Sequence, residues 1–433
     1  MTQVVYLHVG APKSGTTYLQ QVLELNAPVL ADAGVLVVGP RLDLIHAAMV
    51  VREDSRLTDL PPSARESWQR VVTQVREWQG RAAVVSYELF ANAGAEQARA
   101  ALADLAGLEV HVVVSARDLG RAVSSSWQEQ LKFGLTKPLH AWSPPGEAAV
   151  ASEWGWRTMQ PANVAGRWGA DLPAERVHVV TAPRDGAGDE LWRRFADACG
   201  LRDVDGLDLV VERANESLGV VEAELLRRVN GALDGRISGA RQKSLWIRDL
   251  LAHRVLAPLG REPIGLTAEQ LAEAGVEADA AIAAVTAAGY TVHGDLADLR
   301  PQPLDARLPA AVTDAEVAGS AALALADLLV WARESGVGPR GAAGPRSDER
   351  PGATARTIVR SSLTRLSAPY RDRRAERLEA RIAQLEAEVE RSRALHLRVA
   401  TLSDVVAELL LPASQQREEI TMRALRDYRD RSL

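Results

Sequence analysis

The opening twenty-odd residues restrict the fold more than any other stretch. Residues 4–9, an apolar and β-branched run, break at Gly10-Ala11-Pro12-Lys13-Ser14-Gly15-Thr16-Thr17 and resume as the amphipathic pattern Tyr18-Leu19-Gln20-Gln21-Val22-Leu23. That order predicts a strand, a tight loop and a helix, a unit that offers loop amides and a helix N-terminus to phosphate groups. Gly10 and Gly15 keep the spacing of the G-x-x-x-x-G-K-[ST] phosphate loop, but the lysine sits inside the loop as Lys13, and Thr16 and Thr17 follow the second glycine. A lysine so displaced reaches toward a leaving phosphate or sulfate oxygen, while the two threonines face a 5′-phosphate from the helix start.

A second anion-binding pattern lies downstream. Residues 110–115 read as a strand that runs into Ala116-Arg117-Asp118-Leu119, with Ser124 and Ser125 on the helix that follows. Arginine presents a bidentate fork to phosphate, and a serine near a helix start adds a donor where the dipole already favours anions. The plainer reading of Arg117 is a surface ion pair with Asp118 or another carboxylate.

Taken together, these residues resemble the sulfotransferases that use 3′-phosphoadenosine 5′-phosphosulfate (PAPS). The family's P-K-[ST]-G-T-[TS] loop is matched by Pro12, Lys13, Ser14, Gly15, Thr16 and Thr17, and its arginine and serine, eight residues apart, by Arg117 and Ser125. The family's usual R-D-P reads Arg117-Asp118-Leu119 here, and Ser124 is the alternative serine. The resemblance covers about the first 220 residues. It implies PAPS as sulfuryl donor with no metal required, Lys13 as the catalytic cation, and a hydroxyl or amine of a carbohydrate or other small molecule as acceptor. A general base is needed, and Glu88, closing the apolar run 81–87, occupies the family's position for it; its alternative role is a dipole-favoured helix start. His46, on an apolar helical stretch, is the second candidate base. The family's basic loop over the nucleotide has no counterpart beyond Arg213 and Asn215. Two rival readings are a P-loop small-molecule kinase and a degenerate nucleotide fold acting as an interaction module.

Segments 4–9, 34–38, 81–87, 110–115 and 177–181 read as short strands alternating with helical stretches such as 64–78 and 95–105. This predicts an α/β fold, a P-loop-type parallel sheet flanked by helices, with ligands at the carboxyl ends of the strands. Residues 1–220 form the expected α/β core and 221–335 a helical extension packed on it, in which strands give out and Ser217 caps the helix 220–233. Residues 336–372, rich in Gly, Pro, Arg and Ser, read as a flexible linker. In 373–433 the apolar positions Leu378, Ile382, Leu385 and Val389 repeat at heptad spacing, which fits either a coiled-coil-like dimerising helix or a helix packed on the domain. Ten tryptophans stand against three phenylalanines. Five of them, Trp127, Trp142, Trp154, Trp156 and Trp168, crowd a proline-containing span that reads either as an active-site lid with aromatic faces or as core filling under a long loop.

A formal net charge of −6 disfavours nucleic acid held by bulk electrostatics, so an anionic ligand needs a local site. The single cysteine, Cys199, reads as a small buried hydrophobe, and no Cys/His spacing suits zinc. No 18-residue apolar run is evident, and the N-terminus is already strand, so the expectation is a cytoplasmic protein without a membrane span.

Overall fold

The computed structural model describes residues 4–149, 152–184, 188–211, 217–302 and 305–335. Arg213, Asn215, the linker and the heptad tail fall outside the described residues. The chain divides into two compact units, Met1–Pro339 and Arg340–Leu433, and the described residues all belong to the first.

In chain order the elements are β1 (Val4–Gly10), α1 (Thr16–Leu25), α2 (Ala27–Asp32), β2 (Val35–Val37), α3 (Arg41–Val51), α4 (Ser67–Glu77), β3 (Ala82–Ser86), α5 (Ala95–Ala103), β4 (Glu109–Ala116), α6 (Leu119–Lys132), α7 (Trp156–Met159), α8 (Pro161–Gly169), β5 (Val177–Thr181), α9 (Gly188–Ala198), α10 (Val220–Leu233), α11 (Ala240–Gln242), α12 (Ala268–Ala288), β6 (Thr291–His293) and α13 (Asp314–Glu334). A π-helical stretch, Lys243–Leu256, follows α11. The sheet is six-stranded and parallel in the order β2-β3-β1-β4-β5-β6. The fold is therefore α/β, a parallel sheet flanked by helices.

Strand periodicity explains how the sheet is covered. In β1, Val5, Leu7 and Val9 join a core with α3, α4, α5 and α8 on one face, while Tyr6 and His8 point to the other face, beneath α1 and α9. Both faces are buried, as parallel strands require, and side chains such as Leu7, Leu19 and Phe195 are fully enclosed. Each contributes roughly 1.5–3 kcal/mol by leaving water. A third apolar cluster unites α6 with the later helices through Trp127, Leu131, Leu226, Val255 and Val285.

Three sequence expectations need correction. The stretch expected to be wholly helical supplies a sixth strand, Thr291–His293, which pairs with β5 through His178↔Thr291 and Val180↔His293. Ser217 does not cap α10, whose N-cap is Gly219. Of the two readings of the clustered tryptophans, core filling holds for Trp127, Trp142, Trp156 and Trp168, because α7, α8 and a short 3-10 turn order most of the span; Trp154 lines a cavity. Finally, α13 is long and apolar enough to cross a membrane by length and composition, with 17% of its window buried. It carries Glu316 and Asp327 and packs one side, including Val317, Ser320 and Ala324, against the domain.

Candidate functional site

The loop between β1 and α1 lies at the carboxyl end of the central strand, flanked by β3 and β4, where parallel α/β sheets place ligands. Three of its residues have positive φ: Gly10 (115°), Lys13 (64°) and Gly15 (91°). At Gly10 a Cβ would stand 2.6 Å from the Glu88 carbonyl oxygen, so the turn after β3 abuts the loop and only glycine fits there. Lys13 holds a left-handed conformation unusual for a side-chain-bearing residue. Its carbonyl accepts a hydrogen bond from Arg117 Nη1 at 2.8 Å, which ties the loop to the end of β4.

Behind the loop runs a buried polar chain. Ser14 Oγ donates to the Ala11 carbonyl at 2.5 Å and shares a 2.6 Å hydrogen bond with Ser115 Oγ. Ser115 Oγ meets His8 Nε2 at 3.0 Å, and His8 Nδ1 meets Ser86 Oγ at 2.7 Å. Burial holds the His8 pKa down at about 3, so the ring is neutral and carries one donor and one acceptor for its two hydroxyl partners. Strands β3, β1 and β4 are thereby fastened to one another directly under the loop. The first turn of α1, N-capped by Gly15 with no side-chain cap, leaves its amides for another acceptor.

The cations of the site come from this loop and from the end of β4. Arg117 is half-buried between β4 and α6; burial and the nearby Arg121 lower its pKa to about 10 against the pull of Asp118, and it stays charged at neutral pH. Lys13 reaches from the loop to α6, where Nζ lies 3.0 Å from Glu129 Oε1. The same oxygen takes Lys132 Nζ at 2.8 Å. Burial opposes ionisation of Glu129, but the two ammonium groups outweigh it and bring its pKa to about 2. Glu129 is thus a poor base and a strong counter-charge.

Ser125 lies four residues before Glu129, on the same face of α6 as the lysine contact. Ser124 spends its hydroxyl on the Arg121 carbonyl at 3.2 Å, while Ser125 has no such bond among the described residues. Glu88, the first residue of a 3-10 turn, receives Gln20 Nε2 at 2.7 Å from α1. Pro12, Ser14 and Thr16 are buried; Gly15 and Thr17 are partly exposed. The structure therefore brings Lys13, Arg117 and the loop together, with Glu88 against Gly10. His46 lies on α3 and acts on the charge of Asp43, whose carboxylate is bound by Arg70. A cavity of about 450 Å³ lies nearby, lined by Asn92 from the Glu88 turn, Gln130 beside Glu129, Trp154, and the paired Arg52, Arg56, Asp54 and Glu153.

Sequence reasoning missed Glu129, Gln20 and His8. Glu129 carried a usable signal, since it follows Ser125 by one helical turn; His8 is hidden within an ordinary strand.

Comparison with known proteins adds little to this geometry. A domain of unknown function, DUF6752, matches residues 378–432, which lie outside the described residues. No curated protein matches the chain. Among solved structures, a sulfotransferase domain from the curacin biosynthetic pathway is similar at 12% identity over 67% of this chain and 99% of that one, with a TM-score of 0.30.

Proposed function

We propose that the chain is a sulfotransferase that moves a sulfuryl group from PAPS to a hydroxyl or amine of a carbohydrate or other small molecule. The observation that carries this reading is the convergence of Lys13 and Arg117 on one loop, Arg117 Nη1 bound to the Lys13 carbonyl, beside a helix start whose amides lack a side-chain cap. The geometry suits a ligand with two separated phosphates. The loop and first turn of α1 face the 5′-phosphate; Arg117 and Ser125 face the 3′-phosphate.

In transfer, the acceptor oxygen or nitrogen forms a bond to sulfur as the sulfur–oxygen bond to the 5′-phosphate breaks. The acceptor proton passes to Glu88, and 3′-phosphoadenosine 5′-phosphate departs. Negative charge grows on the bridging oxygen, where the Lys13 ammonium is placed to stabilise it; such preorganised cations act where charge develops. Gln20 holds one oxygen of Glu88 and leaves the other for the acceptor proton. The cavity beside Trp154 balances two guanidiniums with two carboxylates, which fits an uncharged polar acceptor such as a sugar. A cytoplasmic enzyme that dimerises through residues 373–433 completes the proposal.

The test is Glu88→Gln, assayed for bisphosphate binding and for transfer to a panel of glycans and amines. Retained binding with lost transfer is expected. Near-normal turnover would remove Glu88 as the base.

A further inference from the structure

Away from the donor loop, three histidines form an unbroken row across β4, β5 and β6. His111 Nδ1 meets His178 Nε2 at 2.8 Å, and His178 Nδ1 meets His293 Nε2 at 3.0 Å. A carboxylate closes each end: His111 Nε2 meets Glu109 Oε1 at 2.9 Å, and His293 Nδ1 meets Asp197 Oδ2 at 2.9 Å. The ring centroids stand 5.1 and 5.2 Å apart.

Counting protons exposes a mismatch. An ionised carboxylate only accepts, so both end contacts draw their proton from an imidazole, and each nitrogen–nitrogen contact needs one more. Four contacts require four ring protons. Three neutral imidazoles carry three. We propose that this row is a proton-binding site that takes up one proton beyond the neutral rings and, so loaded, fastens the edge strand β6 to the sheet.

The surroundings fix where that proton resides. Burial, reinforced by His111 and His293 and opposed by Asp197, lowers His178 to about 4, so the middle ring is neutral and the extra proton sits on an end ring that faces a carboxylate. Arg176 also faces Glu109 at 3.8 Å, and Arg202 faces Asp197 at 3.0 Å. The Tyr6 ring lies 5.3 Å from His111; burial, Cys199 and Glu109 raise its hydroxyl pKa, with Arg81 opposing, and burial keeps the Cys199 thiol protonated. Glu190, Arg193 and Arg194 share a cavity with His293, where Arg194 is paired to Glu190 and Asp298.

What the row holds reaches toward the donor loop. Past His293, Asp295 N–H donates to Thr181 Oγ1 at 3.1 Å, and Gln302 N–H donates to Asp118 Oδ2 at 3.0 Å. Asp118 caps α6 through the Arg121 N–H and stands next to Arg117. The consequence for donor binding rests on the sulfotransferase reading; the fastening of β6 does not.

The coupled titration gives a two-sided profile. The four contacts need four ring protons, so the loaded row is the protonated form and its part of the attachment is lost as pH rises and the extra proton leaves. His178 is depressed from 6.5 to about 4, so its part is present above 6.5 and lost as pH falls toward 4. Hydrogen exchange measured by mass spectrometry on the full chain without nucleotide, between about pH 5 and 9 and corrected for intrinsic rates, reads this directly. Protection over residues 291–299 is expected to peak near neutrality and fall on the alkaline side by up to about tenfold per pH unit, the limit for one linked proton.

In His293→Gln the amide nitrogen donates to both Asp197 and His178 with no added proton, so the alkaline fall is expected to vanish. Flat wild-type protection above neutrality, or an unchanged alkaline fall in the variant, overturns the proposal. Ring-nitrogen NMR of the wild type at pH 7 decides independently of any variant: one doubly protonated ring in the row supports it, and three neutral rings refute it. Neither readout involves nucleotide, so failure here leaves the donor site standing, and failure of donor binding leaves the row standing.

Discussion

Replacing Glu129 with glutamine isolates the charge that holds the loop lysine. One carboxylate oxygen, on a side chain 7% exposed, lies 3.0 Å from Lys13 Nζ and 2.8 Å from Lys132 Nζ. Its pKa falls from 4.5 to about 2 because the two ammonium groups outweigh the burial that opposes ionisation. At about 1.4 kcal/mol per tenfold change in proton affinity, that fall corresponds to about 3 kcal/mol of stability at pH 7, in line with the roughly 3–5 kcal/mol lost when one partner leaves a buried ion pair. The folded value is depressed, so this stability is complete above 4.5 and lost as pH falls toward about 2.

Urea unfolding followed by tryptophan fluorescence should show Glu129→Gln less stable than wild type by about 3 kcal/mol at pH 7, with the gap about 1 kcal/mol narrower at pH 3.5. Binding of 3′-phosphoadenosine 5′-phosphate should tighten in the variant, since the site gains one positive charge. A gap below about 1 kcal/mol at pH 7, or one independent of pH, would refute the reasoning, because surface pairs have that magnitude.

Three further outcomes are expected. Lys13→Ala should lower kcat by roughly 10² to 10³, by analogy with the loss of one preorganised donor, while bisphosphate binding measured by calorimetry persists. His8→Leu strips Ser86 and Ser115 of their ring partner and should cost roughly 1–3 kcal/mol at pH 7 in chemical unfolding. Because burial depresses His8 from 6.5 to about 3, the wild type alone loses stability as pH falls below 6.5, and the gap should narrow by about 2 kcal/mol at pH 5. Truncation after residue 336 should convert a dimer to a monomer by light scattering; a monomer for both the full-length and the truncated chain would end the dimer proposal.

The central sheet was readable because its strands are runs of buried β-branched residues, and 177–181 matches its strand residue for residue. Strand β6 was not, since Thr291-Val292-His293 is too short to show a period and becomes a strand only through pairing with β5, more than a hundred residues earlier. Lys13 and Arg117 were legible as motif positions. Their contact, and the bond from Gln20 to Glu88, depend on how the strands are ordered, which local pattern does not encode. Glu129 looked like any charge on a helix until α6 was seen to face the loop. The tryptophan cluster was legible only as two alternatives, lid or core, and packing places most of its rings in the core.

Calorimetric titration of the wild-type chain with 3′-phosphoadenosine 5′-phosphate, and separately with ATP and Mg²⁺, tests the central claim most directly. Tight binding of the bisphosphate, abolished in Arg117→Ala, with little affinity for ATP, is the expected result. Tight binding of ATP with Mg²⁺ and none of the bisphosphate would contradict it.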